Sequence, residues 1–142
     1  MTSYKDLFAE LGFEQLIRKF CTELGWRISE IDNRHAIIKF NMNSGRVQTL
    51  FIVRFETTLE FSVPSGLVFN SENSIPDRVS TFLLKSNSER KIGFWSIETI
   101  QKKFVYSIMH NVEIALIDRS YFERVVQVLV NECDKFESGL GK

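Results

Sequence analysis

The stretch RVQTLFIVRFETTLEFSV, residues 46–63, decides the fold of this chain. Every second residue along most of it is apolar, which is the spacing of side chains on one face of a β-strand. Because this apolar series is odd-numbered, we expect the odd face to lie against the core. We predict a third strand over 46–56. Thr57 and Thr58 either continue this strand through a bend or turn the chain into a fourth strand that ends near Val63. The odd series is Val47, Thr49, Phe51, Val53, Phe55, Leu59, Phe61 and Val63.

Upstream of this stretch, the sequence predicts one helix and two short strands. Apolar residues three and four apart indicate a helix over residues 4–24, and Gly25 can end it because glycine readily adopts positive φ. Strands over 26–31 and 35–42 follow, and the turn residues 43–45 connect the second of them to the long third strand. This part of the chain is therefore predicted to be a helix followed by an antiparallel meander.

Downstream, a loop separates the meander from the remaining elements. Proline, glycine, asparagine and serine concentrate in PSGLVFNSENS, residues 64–74, which is typical of a loop. Ser120 and Glu123 have the spacing of a capping box and predict the start of the last helix, which Gly139 is expected to end. The predicted elements after the loop are a helix over 76–85, strands over 94–100 and 104–114, and a closing helix over 120–138.

The order of these elements predicts an α+β fold. Runs of strands joined by short turns favour an antiparallel sheet with helices gathered on one face. We predict an antiparallel sheet of five to six strands with three helices, in the order α-β-β-β-(β)-α-β-β-α. The length of 142 residues corresponds to one such domain, residues 1–142, which can bury a core without metal or disulfide support.

The charge of the chain argues against two kinds of partner. Lys plus Arg and Asp plus Glu both number 18, so the formal net charge is zero, whereas binding to nucleic acid or to an anionic membrane depends on clustered positive charge. We therefore expect no nucleic acid and no membrane as partner, and nothing in the charge opposes self-association. A cytoplasmic location is expected because the N-terminus has no signal-peptide pattern and no apolar run could span a bilayer.

The residues that could carry chemistry form no recognisable catalytic or metal-binding motif. Cys21 and Cys133 fall on apolar helix faces, and together with the two histidines they match no zinc-ligand spacing. We expect two buried reduced thiols, one histidine at a strand edge, His35, and one that faces the core, His110. The sequence thus predicts no catalytic residue, no metal and no cofactor.

Five features of the layout carry a resemblance to a known fold. They are the Gly25–Trp26 junction, the phenylalanine-rich meander from Phe40 to Phe61, the short helix 76–85, the Phe94–Trp95 strand and the closing helix 120–138. With this layout, nearly the whole chain resembles the YbjN family and the type III secretion chaperone-like fold to which that family belongs.

The resemblance implies a small α+β domain, commonly a homodimer, that binds other proteins rather than turning over a substrate. Secretion chaperones hold a segment of their effector in extended form on their surface. Those chaperones tend to be acidic, whereas this chain is neutral, so the resemblance carries over the fold and the mode of binding but not the partner. It transfers no functional residue, because the family has no catalytic motif.

Apolar residues also occupy the other face of the predicted sheet. On the third strand, Leu50 and Ile52 break the polar series of even positions, and Ile37, Val105 and Met109 do the same on other strands. If all helices cover the odd face, these five residues form an exposed apolar patch, which is typical of a partner site. The alternative is that a helix or the loop after the fourth strand covers them within the monomer.

Two functions from different classes remain open. The first is a non-enzymatic protein-binding domain that holds a partner segment or a second copy of itself on the sheet face. The second is a regulatory domain that binds a small apolar ligand between the sheet and the 64–74 loop, with Phe69, Trp95 and Tyr106 as the lining.

Overall fold

The computed structural model of the chain describes residues 12–140. Over these residues, three α-helices and six β-strands follow one another in the order α-β-β-β-β-α-β-β-α, with short 3-10 turns at Glu72–Ser74 and Ile114–Leu116. The elements are α1 Phe13–Leu24, β1 Ile28–Ile31, β2 His35–Asn41, β3 Val47–Phe55, β4 Thr58–Phe69, α2 Asp77–Asn87, β5 Phe94–Ile100, β6 Lys103–Glu113 and α3 Arg119–Leu140.

The six strands of the described chain form one antiparallel sheet, in the order β1-β2-β3-β4-β6-β5. Strands β1 to β4 are a meander, and β6 pairs with β4 and β5, which leaves β1 and β5 at the two edges. All three helices contribute to a single buried core, for example through Ile17 of α1, Leu83 of α2 and Val126 of α3. The predicted α+β fold, with an antiparallel sheet and three helices, is confirmed.

Aromatic rings fill the centre of this core. Phe122 of α3 is fully buried, and its ring centroid lies 5.0 Å from that of Phe20 on α1 and 5.8 Å from that of Phe61 on β4. Trp26, at the junction after α1, approaches the same ring at 6.0 Å. The high phenylalanine content thus stabilises the contact between the sheet and two helices, since each buried aromatic ring removes a large apolar area from water.

The predicted loop 64–74 is wrong over its first half, because β4 continues to Phe69. A β-bulge between Pro64 and Val68 shifts the pairing of β4 with β6. Proline cannot donate a ladder hydrogen bond and is tolerated next to a bulge, so the proline and glycine of this segment mark the bulge rather than the end of the strand.

The ends of the first and last helices also differ from the sequence prediction. Residues 4–11 of the predicted first helix lie outside the described residues. The described part of this helix ends as predicted, at Gly25 with φ 75°. The last helix begins one residue before Ser120, and the side chain of Asp118 caps it by accepting a hydrogen bond from Tyr121 N at 2.8 Å. It also continues through Gly139, which does not end it.

The predicted orientation of β3 is reversed. Leu50 and Ile52, expected on an exposed face, have no exposed surface and belong to the core. On the odd side, which was expected to be core, Val47 is 53% exposed and Phe55 is 50% exposed. The even face of β3 therefore packs against the helices, and the odd face lies on the other side of the sheet.

The pairing of β3 with β4 explains the reversal. Only residues 56 and 57 separate the two strands, so even residues of β3 pair with odd residues of β4, as Ile52 does with Phe61. Paired residues lie on the same face of a sheet. The odd-numbered residues of β4 are buried. The even-numbered residues of β3, which pair with them, therefore lie on the core side as well.

A polar network also ties β3 to α3 on the helix side. Gln48 is 1% exposed, and its Nε2 donates to Asp134 Oδ1 at 3.2 Å and to Glu137 Oε1 at 2.9 Å. Asp134 Oδ1 also accepts hydrogen bonds from Ser44 Oγ at 2.8 Å and Arg46 Nε at 3.0 Å. Because these donors come from the β2–β3 turn and from β3 itself, the network holds the hairpin against the end of the last helix.

We predict that alanine substitutions on the two faces of β3 lower the free energy of unfolding by different amounts. Ile52→Ala should lower the free energy of unfolding by about 2–5 kcal/mol, because it leaves a cavity in the core. Phe55→Ala, although it removes more atoms, should cost less than about 1 kcal/mol, because half of the ring is already in water. Urea unfolding of both variants measures this, and equal losses would contradict the assignment of faces.

We also predict that Asp134→Asn weakens the protein in a pH-dependent way. Burial raises the pKa of Asp134, but hydrogen bonds from Ser44, Gln48 and Arg46 and the Arg46 charge outweigh it and hold the pKa below the ordinary 3.8. The stabilisation is present above pH 3.8 and is lost as the pH falls through the folded-state pKa. The variant should therefore lose about 1–3 kcal/mol at pH 7 and much less in strong acid.

The matched control is Glu14→Gln, which removes the exposed ion pair with Arg18 on α1. Exposed i,i+4 pairs contribute about 0.5 kcal/mol or less, so this variant should unfold almost like the wild type at either pH. An Asp134→Asn defect that stays the same size down to strong acid would show that the carboxylate charge is not what holds the network.

Candidate partner-binding surface

One side of the sheet, at strands β2 and β3, is not covered by any helix within the described residues. We call it the open face: Ile37, Val47, Phe51, Val53 and Phe55, on the side of β2 and β3 away from the helices. The register confirms that these side chains share one side, because Ile37 pairs with Phe51 and the other three have the same parity as Phe51. A sheet with one solvated side normally shows polar residues there, so five apolar side chains at this place are unusual.

The exposure of the open face is largest along β3. The exposed fractions are 53% for Val47, 36% for Phe51 and 50% for Phe55, whereas Ile37 and Val53 are half-buried. Removing apolar surface from water is favourable by about 25 cal/mol for every Å², so a partner that covers these side chains gains this free energy. The open face is therefore a surface that gains free energy when another protein covers it.

The structure divides the five predicted partner-binding residues between the two sides of the sheet. Leu50 and Ile52 lie in the core, so the prediction that they are exposed is wrong. Ile37 lies on the open face. Val105 and Met109 lie on the same side as Ile37, because Met109 pairs with Ser62 and Ser62 pairs with Phe51.

Val105 and Met109 are nevertheless buried, with exposed fractions of 5% and 9%. Polar side chains of neighbouring strands reach over this part of the sheet. Ser62 Oγ donates to Glu98 Oε1 at 2.6 Å, across the strand β6 that separates them, and Ser96 Oγ contacts Met109 Sδ at 3.0 Å. The row of exposed apolar side chains on this side of the sheet therefore lies on β2 and β3, and Val68, which pairs with Val105 and is 50% exposed, lies apart from it on β4.

Carboxylates and a lysine lie on the same side of the sheet as the open face, and the lysine is Lys39 on β2. Glu30 pairs with Ile37, Glu60 pairs with Val53, and Glu98 lies further along the same side of the sheet. Burial raises the pKa of Glu60, and repulsion from the nearby Glu98 carboxylate raises it further. A cationic group beside Glu60 and Glu98 would relieve this repulsion, so the β4 side of the open face favours a partner with basic side chains.

The three predicted ligand-lining residues do come together, but not under a loop. The rings of Phe69 and Tyr106 pack edge to face at 5.7 Å, and Trp95 and Tyr106 line a cavity of about 140 Å³ beneath α2. Tyr106 OH is also engaged, with Ser80 Oγ at 2.7 Å and the Pro76 carbonyl at 3.2 Å. Helix α2, rather than the 64–74 segment, therefore forms the wall above these aromatic residues.

The sequence reasoning missed a second exposed apolar region along α2. Phe82 and Leu84 are about two-thirds exposed, at 66% and 67%, although they lie on an amphipathic helix. A groove of about 680 Å³ runs between α2 and α3, with Trp95 among the residues that line it. The signal in the sequence was the run Phe82-Leu83-Leu84, since a helix can turn only one of three consecutive apolar residues fully into the core.

The cysteines and histidines have the environments of structural residues. Both cysteines are buried and unpaired, and burial raises the pKa of the Cys21 thiol to about 11, which disfavours a reactive thiolate. His110 faces the helix side as predicted: its Nδ1 accepts from Gly93 N at 3.1 Å, so Nε2 carries the proton toward Tyr121 OH at 3.0 Å. Burial lowers the pKa of His110, in keeping with a neutral ring. His35 is exposed at the start of β2, as expected.

Two further features bear on possible functions. Within residues 12–140, no group of three His, Cys, Asp or Glu side chains is arranged to hold a metal ion. Among the same residues, no helix combines the length and the apolar character that crossing a bilayer requires.

Comparison with known proteins identifies the class of fold. No protein-family model matches the chain, and no curated protein matches it. Among solved structures, the chain has the fold of YbjN and of the type III secretion chaperone-like proteins. The fold expected from the layout of the sequence is therefore confirmed.

Two structures carry this assignment. A chain in the HopA1–SchA chaperone–effector complex aligns with a TM-score of 0.62 and 9% identity, over 95% of this chain and 97% of that one. YbjN from E. coli, described as a candidate transcription regulator, aligns with a TM-score of 0.56 and 12% identity, over 85% and 90% of the two chains. At these identities the likeness shows the fold alone.

Proposed function

We propose that this chain is a non-enzymatic protein-binding domain. It holds an extended segment of a partner protein on the open face, and the partner segment carries apolar side chains with basic residues beside them. The observation that carries the proposal is the row of large apolar side chains of β3 that water, rather than a helix, contacts. Support for binding a protein comes from the similar chain in a chaperone–effector complex.

The geometry of β3 suits an extended partner. Val47, Phe51 and Phe55 are four residues apart on one side of the same strand, so they form a row that the side chains on one face of an extended chain can follow. The acidic residues Glu60 and Glu98 flank this row on the β4 and β5 side. Apolar contacts then supply most of the affinity, and the carboxylates select the partner by charge and speed its association.

Fluorescence anisotropy with labelled peptides tests the proposal. The probes are three peptides of equal length in which valine and phenylalanine alternate with lysine, with glutamate or with serine. We expect the lysine peptide to bind most tightly, to weaken as salt screens the carboxylates, and to lose at least tenfold in affinity to the Phe51→Gln, Phe55→Gln double variant.

The matched control is Leu116→Gln, an equally polar change at a residue that is 76% exposed outside the strands. This control should bind the lysine peptide like the wild type. Equal loss in the control and the double variant, or equal binding of the glutamate and lysine peptides, would contradict the open face as the binding site.

A second copy of the chain is the competing occupant of the open face. The family resemblance implies a homodimer, and a net charge of zero does not oppose one. Light scattering over a dilution series measures this. A monomer, or a dimer that persists in the double variant, leaves the face to a partner segment, whereas a dimer that the double variant converts into monomers would place a second copy there and contradict the partner-segment proposal.

The alternative function, a regulatory domain that binds a small apolar ligand, stays a prediction. Trp95 and Tyr106 line a cavity whose other walls come from α2 and β5. A cavity of about 380 Å³ that Glu72 and Phe104 line lies next to the end of the 64–74 segment. The cavities that Trp95 does line belong to α2 and α3.

A further inference from the structure

We propose that the groove between α2 and α3 binds a long-chain carboxylic acid, with the acyl chain on an aromatic floor and the carboxylate at a cationic rim. This site does not depend on the proposed partner-binding function, because it lies on the helix side of the sheet and the open face lies on the other side. The proposal rests on the shape of the groove, on its floor and on the charges that remain unpaired at its edge.

The groove has the size and position of a ligand site. Its volume is about 680 Å³, which lies within the range of about 300–1,000 Å³ typical of small-molecule pockets. Two helices form its sides, since Arg78, Phe82 and Ser86 recur every four residues along α2, and Lys135 and Gly139 do so along α3. A chain-shaped ligand could therefore lie lengthwise between the helices.

The floor of the groove is apolar and rigid. Trp95 of β5 is 5% exposed, and its ring centroid lies 4.7 Å from that of Phe136 on α3. Leu83 of α2 is 3% exposed and also lines the groove. Phe82, two-thirds exposed beside them, would lose most of its contact with water if an acyl chain filled the groove. Such surfaces favour a hydrocarbon chain over a polar ligand.

The charges at the rim select an acid. Four charged residues line the groove, and Glu132 is paired with Arg90 Nη1 at 3.2 Å. The other two are the cations Arg78 and Lys135, which are exposed and have no ion-pair partner within the described residues. With its one carboxylate neutralised, the groove presents two unpaired positive charges over an aromatic floor. A carboxylate on an acyl chain complements both features.

Gly139 keeps one part of the groove open. It lies within α3 and lines the groove, and a Cβ atom built there would meet nothing within 4 Å. A larger side chain at this position therefore meets no existing atom at its Cβ, and we expect it to take up part of the groove that Gly139 lines. It should not weaken the helix, because almost any residue favours a helix more than glycine does.

Titration with cis-parinaric acid, whose fluorescence rises in an apolar site, tests the proposal on the full chain. We expect saturable binding of one molecule, displaced by palmitate, and weaker binding of the methyl ester of the probe. Gly139→Leu should lower the affinity at least tenfold by filling the groove, and Phe82→Ser should lower it too. Arg78→Gln and Lys135→Gln should each lower the affinity for the acid by up to about fivefold and leave the ester unchanged.

The control is Lys85→Gln, which removes an exposed cation of α2 that does not line the groove. This variant should bind the acid like the wild type. Thermal unfolding of each variant verifies that it is folded. If Gly139→Leu does not fold, Phe82→Ser still tests the proposal, because Phe82 is exposed. Absence of saturable binding to the wild type, equal binding of acid and ester, or unchanged affinity in both groove variants would overturn the proposal.

Discussion

The turn at residues 56–57 fixes the pairing on which the rest of the structure depends. Since two residues lie between the paired Phe55 and Thr58, every residue of β3 faces a partner of opposite parity on β4. Phe61 packs against the central ring of the last helix, and its partner Ile52 enters the core with it. A slip of one residue in this hairpin would exchange the two faces of β3 and place the exposed set in the core.

This pairing leaves a strand that is apolar on both sides, and the helices of residues 12–140 cover only one of those sides. The helix side is complete without a partner, because aromatic packing around Phe122 and the polar network of Gln48 and Asp134 hold the sheet against α3. The open face contributes little to that core. The protein can therefore stay folded while Phe51 and Phe55 are in water, and the same side chains stabilise a complex when another chain covers them.

The sequence predicted the order of helices and strands well, because the spacing of apolar residues and the turn residues between elements are local properties. The strands after Gly25 and around Gly45, where φ is 75° and 92°, were found from apolar spacing and from glycines that the turns require. The faces could not be assigned in the same way, since β3 is apolar at both parities and its turn carries no glycine: Glu56 adopts a φ of 53° without a sequence signal. The register of the hairpin decides which face of β3 is buried, because Leu59 to Val63 on β4 have the clearer apolar alternation. The pattern of β3 alone does not decide it.

The candidate surfaces were only partly predictable for a related reason. The sequence can show that apolar residues lie on two faces, but the position of the helices decides which face water reaches, and that is a tertiary property. Hydroxyl-radical footprinting of the isolated protein, read by mass spectrometry, tests this most directly because it compares one residue type. We predict rapid oxidation of Phe51 and Phe55 in dilute solution and protection of Phe20, Phe61 and Phe122. Protection of Phe51 and Phe55 at every concentration, equal to that of Phe61, would contradict an open face on β3.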